Sequence, residues 1–295
     1  MKKTILAAVA AALILLMAGC ASFDFGPTGE YIITARDALG DDSAVLVDVR
    51  PAEEYALSHV RGAVNIPMAS LVVNEPYPNM LPKADTIEAV MAAAGVTQDD
   101  TLYVYDSASN MQAARAQWTL NMYGNDNVRV ISGGLTALKE AGAEMTSEST
   151  ALTTAAYTAG EYSKASIVTL DYLKSIINMP DEKTVIIDTR SDEEYAAGTI
   201  PGSVHIEYLW NNYPNGEYKT PRDIQNTYLN NKIYPDMRII LFCKTSVRAA
   251  QTYTALKDAG YRDVRIYDGA FEEYAAVENP QVPTGPEIPS GQDAS

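Results

Sequence analysis

Leu46-Val47-Asp48-Val49-Arg50-Pro51-Ala52-Glu53-Glu54-Tyr55 returns 140 positions later as Ile186-Ile187-Asp188-Thr189-Arg190-Ser191-Asp192-Glu193-Glu194-Tyr195. The likeness runs on through Arg61-Gly62-Ala63-Val64-Asn65-Ile66 and Pro201-Gly202-Ser203-Val204-His205-Ile206. Further along, Asn127-Val128-Arg129-Val130 matches Asp263-Val264-Arg265-Ile266 at a spacing of 136. A nearly constant period this long marks a duplicated domain, because solenoid repeats are only ~20–50 residues long.

Each copy alternates short apolar runs with helical stretches. Ala44–Val47 and Thr184–Ile187 are β-branched or aliphatic runs that stop at an aspartate. They suit strands buried on both faces. Leu102–Tyr105 and Arg238–Phe242 read as second strands, and Val128–Ile131 and Val264–Tyr267 as third strands. Helices are expected over Met111–Met122 and Val247–Asp258, each closed by a glycine, Gly124 or Gly260. Strands alternating with helices predict an α/β fold in two copies, each a parallel sheet with helices on both faces.

The full chain has 295 residues and carries 22 Lys and Arg against 38 Asp and Glu, a net charge of −16. Such a surface repels phosphate backbones, so no nucleic-acid partner is expected. Two His and two Cys are too few for a zinc finger or a disulfide scaffold. No metal, flavin or nucleotide motif is visible, and no cofactor is expected. At the N-terminus, Lys2 and Lys3 precede an apolar run, Ile5 to Met17, too short for an ordinary membrane span. The run ends Leu16-Met17-Ala18-Gly19-Cys20, which resembles a bacterial lipoprotein signal. That resemblance implies cleavage before Cys20, lipid on Cys20, and a mature charge of −18 once the two lysines are gone. More than one acyl chain makes such anchoring stable. Ala21 is not the aspartate associated with inner-membrane retention, so attachment to the outer membrane, facing the periplasm, is expected. The predicted layout is a signal over 1–19, a linker over 20–30 and a domain over 31–143. A connecting segment over 144–166, a second domain over 167–278 and a Pro-rich disordered tail over 279–295 follow.

In a parallel α/β domain, ligands sit at the carboxyl ends of the strands. Cys243 stands there, ending Ile239-Ile240-Leu241-Phe242 and preceding Lys244-Thr245-Ser246-Val247-Arg248 and a helix. A loop curled onto a helix N-terminus aims backbone N–H groups at one point, backed by the helix dipole. Lys244 and Arg248 add positive charge. Together these favour a thiolate and an anion bound against it. Cys243 is therefore the candidate nucleophile, with Lys244, Thr245, Ser246, Val247 and Arg248 as candidate substrate contacts. For that chemistry the sulfur is expected to be open to solvent.

The mature chain resembles the tandem-domain rhodanese (sulfurtransferase) family from about Tyr31 to Val277. Cys243-Lys244-Thr245-Ser246-Val247-Arg248 is similar to that family's Cys-x-x-Gly-x-(Arg or Thr) loop. The Asp-x-Arg stretches match in both halves, Tyr267-Asp268-Gly269 matches the closing strand and turn, and Leu209-Trp210 through Thr220 resembles a segment that tandem enzymes carry. The resemblance implies two rhodanese domains and transfer of a sulfane sulfur from a donor to Cys243. From the persulfide the sulfur would pass to a thiophilic acceptor such as cyanide or a thiol. It also implies that Asp188 and Arg190 are a supporting pair, since Asp48 and Arg50 repeat them where no chemistry is expected. Asp106 falls where Cys243 does, so the first copy is expected to be non-catalytic, with Arg115 and Trp118 in packing roles.

Two departures bear on the substrate. Ser246 replaces the usual glycine, which alters the loop dihedrals or offers a hydroxyl to the donor. Glu194 stands where the thiosulfate and mercaptopyruvate enzymes place an arginine, so neither donor is assigned. The basic loop favours thiosulfate or polysulfide. His59 and His205 are not equivalent positions, and neither lies near Cys243 in sequence. Only four residues separate Cys243 from Arg248, one fewer than in the Cys-x5-Arg loops of phosphatases. A non-enzymatic periplasmic carrier of sulfur or polysulfide, serving a membrane sulfur-metabolism partner, is the alternative reading.

Overall fold

A computed structural model describes residues 23–280 apart from Ala108, Leu152 and Glu161. The expected signal, Cys20 with its expected lipid, and the expected tail from Gln281 onward lie outside these residues. Within them are two five-stranded sheets, parallel throughout. In the first, β1 (Ile32–Ile33), β2 (Val45–Asp48), β4 (Val64–Asn65), β5 (Leu102–Tyr105) and β6 (Val128–Ile131) lie in the order β1-β6-β5-β2-β4. In the second, β8 (Ile167–Val168), β9 (Thr184–Asp188), β10 (Ser203–His205), β11 (Arg238–Phe242) and β12 (Asp263–Tyr267) lie in the order β8-β12-β11-β9-β10. The two orders correspond strand for strand, which is the duplication in three dimensions. Asp48 and Asp188 are the last residues of β2 and β9, so the strands include the aspartates the sequence reading placed just beyond them.

The central strands are apolar on both faces because helices cover both. All four residues of β5, Leu-Tyr-Val-Tyr, are buried. The helices that follow the central strands, α4 (Met111–Met122) and α9 (Val247–Asp258), are each 12 residues long. They pack on one another and are buried nearly all round, and one apolar core continues through both domains. At their contact the Thr254 hydroxyl donates to Gln117 Oε1 across 2.7 Å. A helix enclosed on every side has no single apolar stripe.

Two segments expected to be simple connectors are built into the fold. The connecting stretch supplies β7 (Met145–Thr146), antiparallel to β3 (His59–Val60), and buries Tyr157. The segment after residue 22 lies across the second domain before entering the first. Gly26 N–H donates to Gly260 O at 2.8 Å, Phe23 stacks on Tyr234 at 5.2 Å, and Tyr31 and Ile32 N–H bond Asp258 Oδ1. Gly260, φ +85°, ends α9, and a Cβ there would stand 2.6 Å from Gly26 O. Only glycine meets both demands. Each domain also extends a short hairpin-like loop onto the other: Val73–Met80 toward the second and Asn212–Tyr218 toward the first.

Candidate active site

Strand β11 delivers Cys243 at its carboxyl end, and the chain turns at once onto α9. The turn requires Ser246 at φ +64°, a left-handed conformation that a glycine would adopt without strain. The serine is held there because its hydroxyl donates to Tyr267 O at 2.9 Å and Asp268 O at 3.0 Å. Ser246 is buried, so its side chain pins the loop to the end of β12 and does not face a donor. Neither expected consequence of this substitution is present: the loop keeps the glycine-type left-handed turn, and the hydroxyl is taken up by the backbone of Tyr267 and Asp268.

The other loop residues diverge in their surroundings. Lys244 is exposed, with its Nζ 3.5 Å from Glu272. Thr245 accepts a 3.0 Å hydrogen bond from Asn79 of the other domain. Val247 opens α9. Arg248 gives Glu194 two hydrogen bonds, 2.5 and 2.9 Å long. Burial works against the charge of its guanidinium, yet Glu194 and the sulfur of Cys243 keep it protonated more firmly than an ordinary arginine. Hydrogen bonds from Arg248 hold the Glu194 carboxyl at about 2. The loop thus gathers one cation against the sulfur, but a carboxylate already occupies that cation.

Cys243 itself is 1% exposed. This corrects the expectation of an open thiol. The loop is closed by contacts its local sequence does not announce: Asn79 on Thr245, Glu194 on Arg248, and the Phe271 and Glu272 N–H groups on the carbonyls of Cys243 and Lys244.

Asp188 and Arg190 form a closed brace. Arg190 Nε and Nη2 grip the Asp188 carboxylate at 2.9 and 2.5 Å, Nη2 also donates to Gly198 O, and the guanidinium lies 3.7 Å over the Phe271 ring. Asp48 and Arg50 repeat the arrangement in the first domain, where Nη2 donates to Ser58 O. Both histidines are engaged in packing. His59 stacks on Tyr55 and His205 on Tyr195, and each ring bonds a backbone carbonyl.

The equivalent loop of the first domain is filled by its own residue. Asp106 Oδ2 accepts from Gln112 N–H at 2.9 Å and Ala113 N–H at 3.4 Å, the donors at the N-terminus of α4. Burial pushes its carboxyl up to about 7 against the pull of those N–H groups. An unfolded aspartate ionises near pH 4. The stability this group gives is therefore complete below pH ~4 and lost as pH rises to about 7, by up to about 4 kcal/mol. Asp106→Asn abolishes that titration. Urea midpoints across pH 4–8 should show the variant gaining on the wild-type protein up to pH 7 and then running parallel. A constant difference across the range would contradict the assignment.

A scan of protein-family profiles matches both halves, residues 34–141 and 169–277, to the rhodanese-like domain. The chain belongs to the tandem-domain rhodanese sulfurtransferase family. Among curated rhodanese relatives, a 3-mercaptopyruvate sulfurtransferase of Escherichia coli (strain K12) is 28% identical over 241 residues, 78% of this chain and 84% of that one. A thiosulfate sulfurtransferase of Pseudomonas aeruginosa is 28% identical over 245 residues, 80% and 89% of the two chains. The crystal structure of the 3-mercaptopyruvate sulfotransferase SseA from Escherichia coli superposes with a TM-score of 0.72 at 25% identity, covering 82% of this chain and 99% of that one.

Two contributors to the rhodanese loop were not foreseen from the sequence. Asn79 closes a Pro- and Asn-rich run, Asn74-Glu75-Pro76-Tyr77-Pro78-Asn79, and Tyr77-Pro78-Asn79 returns as Tyr213-Pro214-Asn215 at the helix spacing of 136. The repeat marks the residue but not its contact, since Asn215 bonds Glu217 of its own loop. Asp268 was visible only as part of the closing turn, and nothing local signals that it receives Arg115 from the first domain at 3.0 Å.

Proposed function

We propose that this sulfurtransferase works through a persulfide on Cys243, taking the sulfane sulfur of an anionic donor, thiosulfate or a polysulfide, and passing it to a thiophilic acceptor such as cyanide or a thiol. The observation that carries the reading is the contrast between the two copies. Where the first domain fills its helix N-terminus with Asp106, the second places a thiol beside an arginine.

The reaction follows from that placement. The Cys243 thiolate attacks the outer sulfur of the donor. The donor's S–S bond breaks, its electron pair leaves with sulfite in the case of thiosulfate, and Cys243 retains the sulfur as a persulfide. The helix N-terminus and Arg248 face the negative charge that develops on the sulfur atoms. Cyanide then attacks the terminal sulfur, departs as thiocyanate, and returns the thiolate. Lys244, at the rim, draws anions toward the loop, while Asp188 and Arg190 fix the floor beneath it. The first domain acts as a wall, through Asn79. Steady-state kinetics with thiosulfate and cyanide tests the proposal: many thiocyanates per protein support it. Formation of one equivalent and no more would leave the carrier reading in its place.

The same proposal includes a lipid on Cys20 and attachment to the outer membrane facing the periplasm, on the evidence of Leu16-Met17-Ala18-Gly19-Cys20. Cys20→Ser is expected to move most of the protein from the membrane fraction to the soluble one. Unchanged fractionation would remove the anchor from the account.

A further inference from the structure

The Glu194–Arg248 pair belongs to the thiol-bearing copy alone. By the helix correspondence, Gln112 occupies the position of Arg248 in the first domain. There the counterpart of Glu194, Glu54, lies 3.7 Å from Arg50 and accepts a hydrogen bond from Ser107. In the second domain Glu194 is the third residue of α7 (Asp192–Ala197), held by a capping box with Ser191. Its two oxygens take two donors of Arg248, the second residue of α9, five positions after Cys243. An incoming sulfonate or carboxylate therefore meets a guanidinium already paired with a carboxylate.

We infer that Glu194 is a specificity-determining residue, a built-in occupant of the anion site that disfavours donors carrying a sulfonate or carboxylate. It favours donors that present the sulfane sulfur on an otherwise uncharged group, of the chemical class of a hydropersulfide of a neutral thiol. The inference rests on the Cys243 persulfide reading above and refines its donor: thiosulfate remains a substrate but ranks below a hydropersulfide of a neutral thiol. A hydropersulfide reacts without displacing Glu194: the Cys243 thiolate takes the outer sulfur, and the electron pair of the broken S–S bond leaves with the neutral thiol's own sulfur. Thiosulfate must first separate Glu194 from Arg248 to place its sulfonate end.

Glu194→Gln tests this in the full protein, since glutamine keeps the length and also serves in a capping box. Donor specificity is read as the ratio of kcat/KM for thiosulfate to that for 2-mercaptoethanol hydropersulfide. The ratio is expected to rise at least tenfold, with the gain lying in the KM for thiosulfate and not in kcat. Glu194→Ala, which removes the carboxylate by another route, is expected to shift it in the same direction. A ratio unchanged or lowered in both variants would overturn the inference. That outcome differs from failure of the parent reading, in which Cys243→Ser would still transfer sulfur from both donors.

Discussion

Replacing Arg115 by alanine is expected to lower the unfolding free energy by about 3–5 kcal/mol, among the largest losses from a single change outside the thiol loop. Arg115 rises from α4 into the interface between the domains, with its side chain fully buried. Its Nη2 reaches Asp268 at 3.0 Å and the carbonyl of Asn79, and its guanidinium lies 4.5 Å from the Trp118 ring. Asp268 in turn accepts from Leu81 N–H at 2.9 Å. Truncation leaves the Asp268 carboxylate buried without its cation and removes one of the contacts that tie the Val73–Met80 loop to the second domain. Against a usual total of ~5–15 kcal/mol, the loss is a large fraction. In a melt it should appear as a fall of about 10 °C. The guanidinium is not ideally satisfied, because its Nε and Nη1 have no hydrogen-bond partner among the described residues. Joint replacement, Arg115→Met with Asp268→Asn, should therefore restore most of the stability. A single variant that melts with the wild-type protein would mean that the interface does not depend on this pair.

The second large effect is chemical. Cys243→Ser is expected to reduce sulfur transfer at least 10³-fold while leaving the melting temperature within a few degrees. Serine is close in size, so the buried site is not emptied, but an alkoxide is not accessible at neutral pH and a hydroxyl forms no persulfide. Turnover with thiosulfate and cyanide, measured beside thermal unfolding, separates the two readouts. Retained turnover would remove Cys243 from the reaction; lost turnover with a collapsed fold would show the thiol to be structural.

The sequence disclosed what is local or repeated. Strands β5 and β11 each hold an apolar run of four residues, and the helices after them end at glycines, so alternation and period placed the three central strands of each sheet but not the short edge strands β1, β4, β8 and β10. The Cys243 loop was legible for the same reason, since its strand end and helix start are contiguous. What stayed hidden depends on pairs far apart in the chain. Glu194 and Arg248 are separated by 54 positions, Arg115 and Asp268 by 153, and Asn79 and Thr245 by 166. No periodicity records such meetings. They explain why the thiol is covered and why the loop's positive charge is smaller than its composition suggests. The attachment of residues 23–32 to the second domain belongs to the same class. A short stretch containing two glycines reads as a linker until Gly260, Asp258 and Tyr234 are brought beside it.

Glu194 also shows how a substitution read as a loss can have a partner. From the sequence it meant only that an expected arginine is missing. In the folded protein its carboxylate holds Arg248, so one position both lacks the expected arginine and engages a second one.

Everything proposed for this chain depends on Cys243 accepting sulfur although it is 1% exposed at rest. Intact-mass spectrometry after brief exposure to donor addresses that directly. The account predicts a gain of about one sulfur atom, carried on the Cys243 peptide, erased by cyanide or dithiothreitol and absent from Cys243→Ser. An unmodified wild-type mass under every donor, or equal labelling of the serine variant, would contradict it.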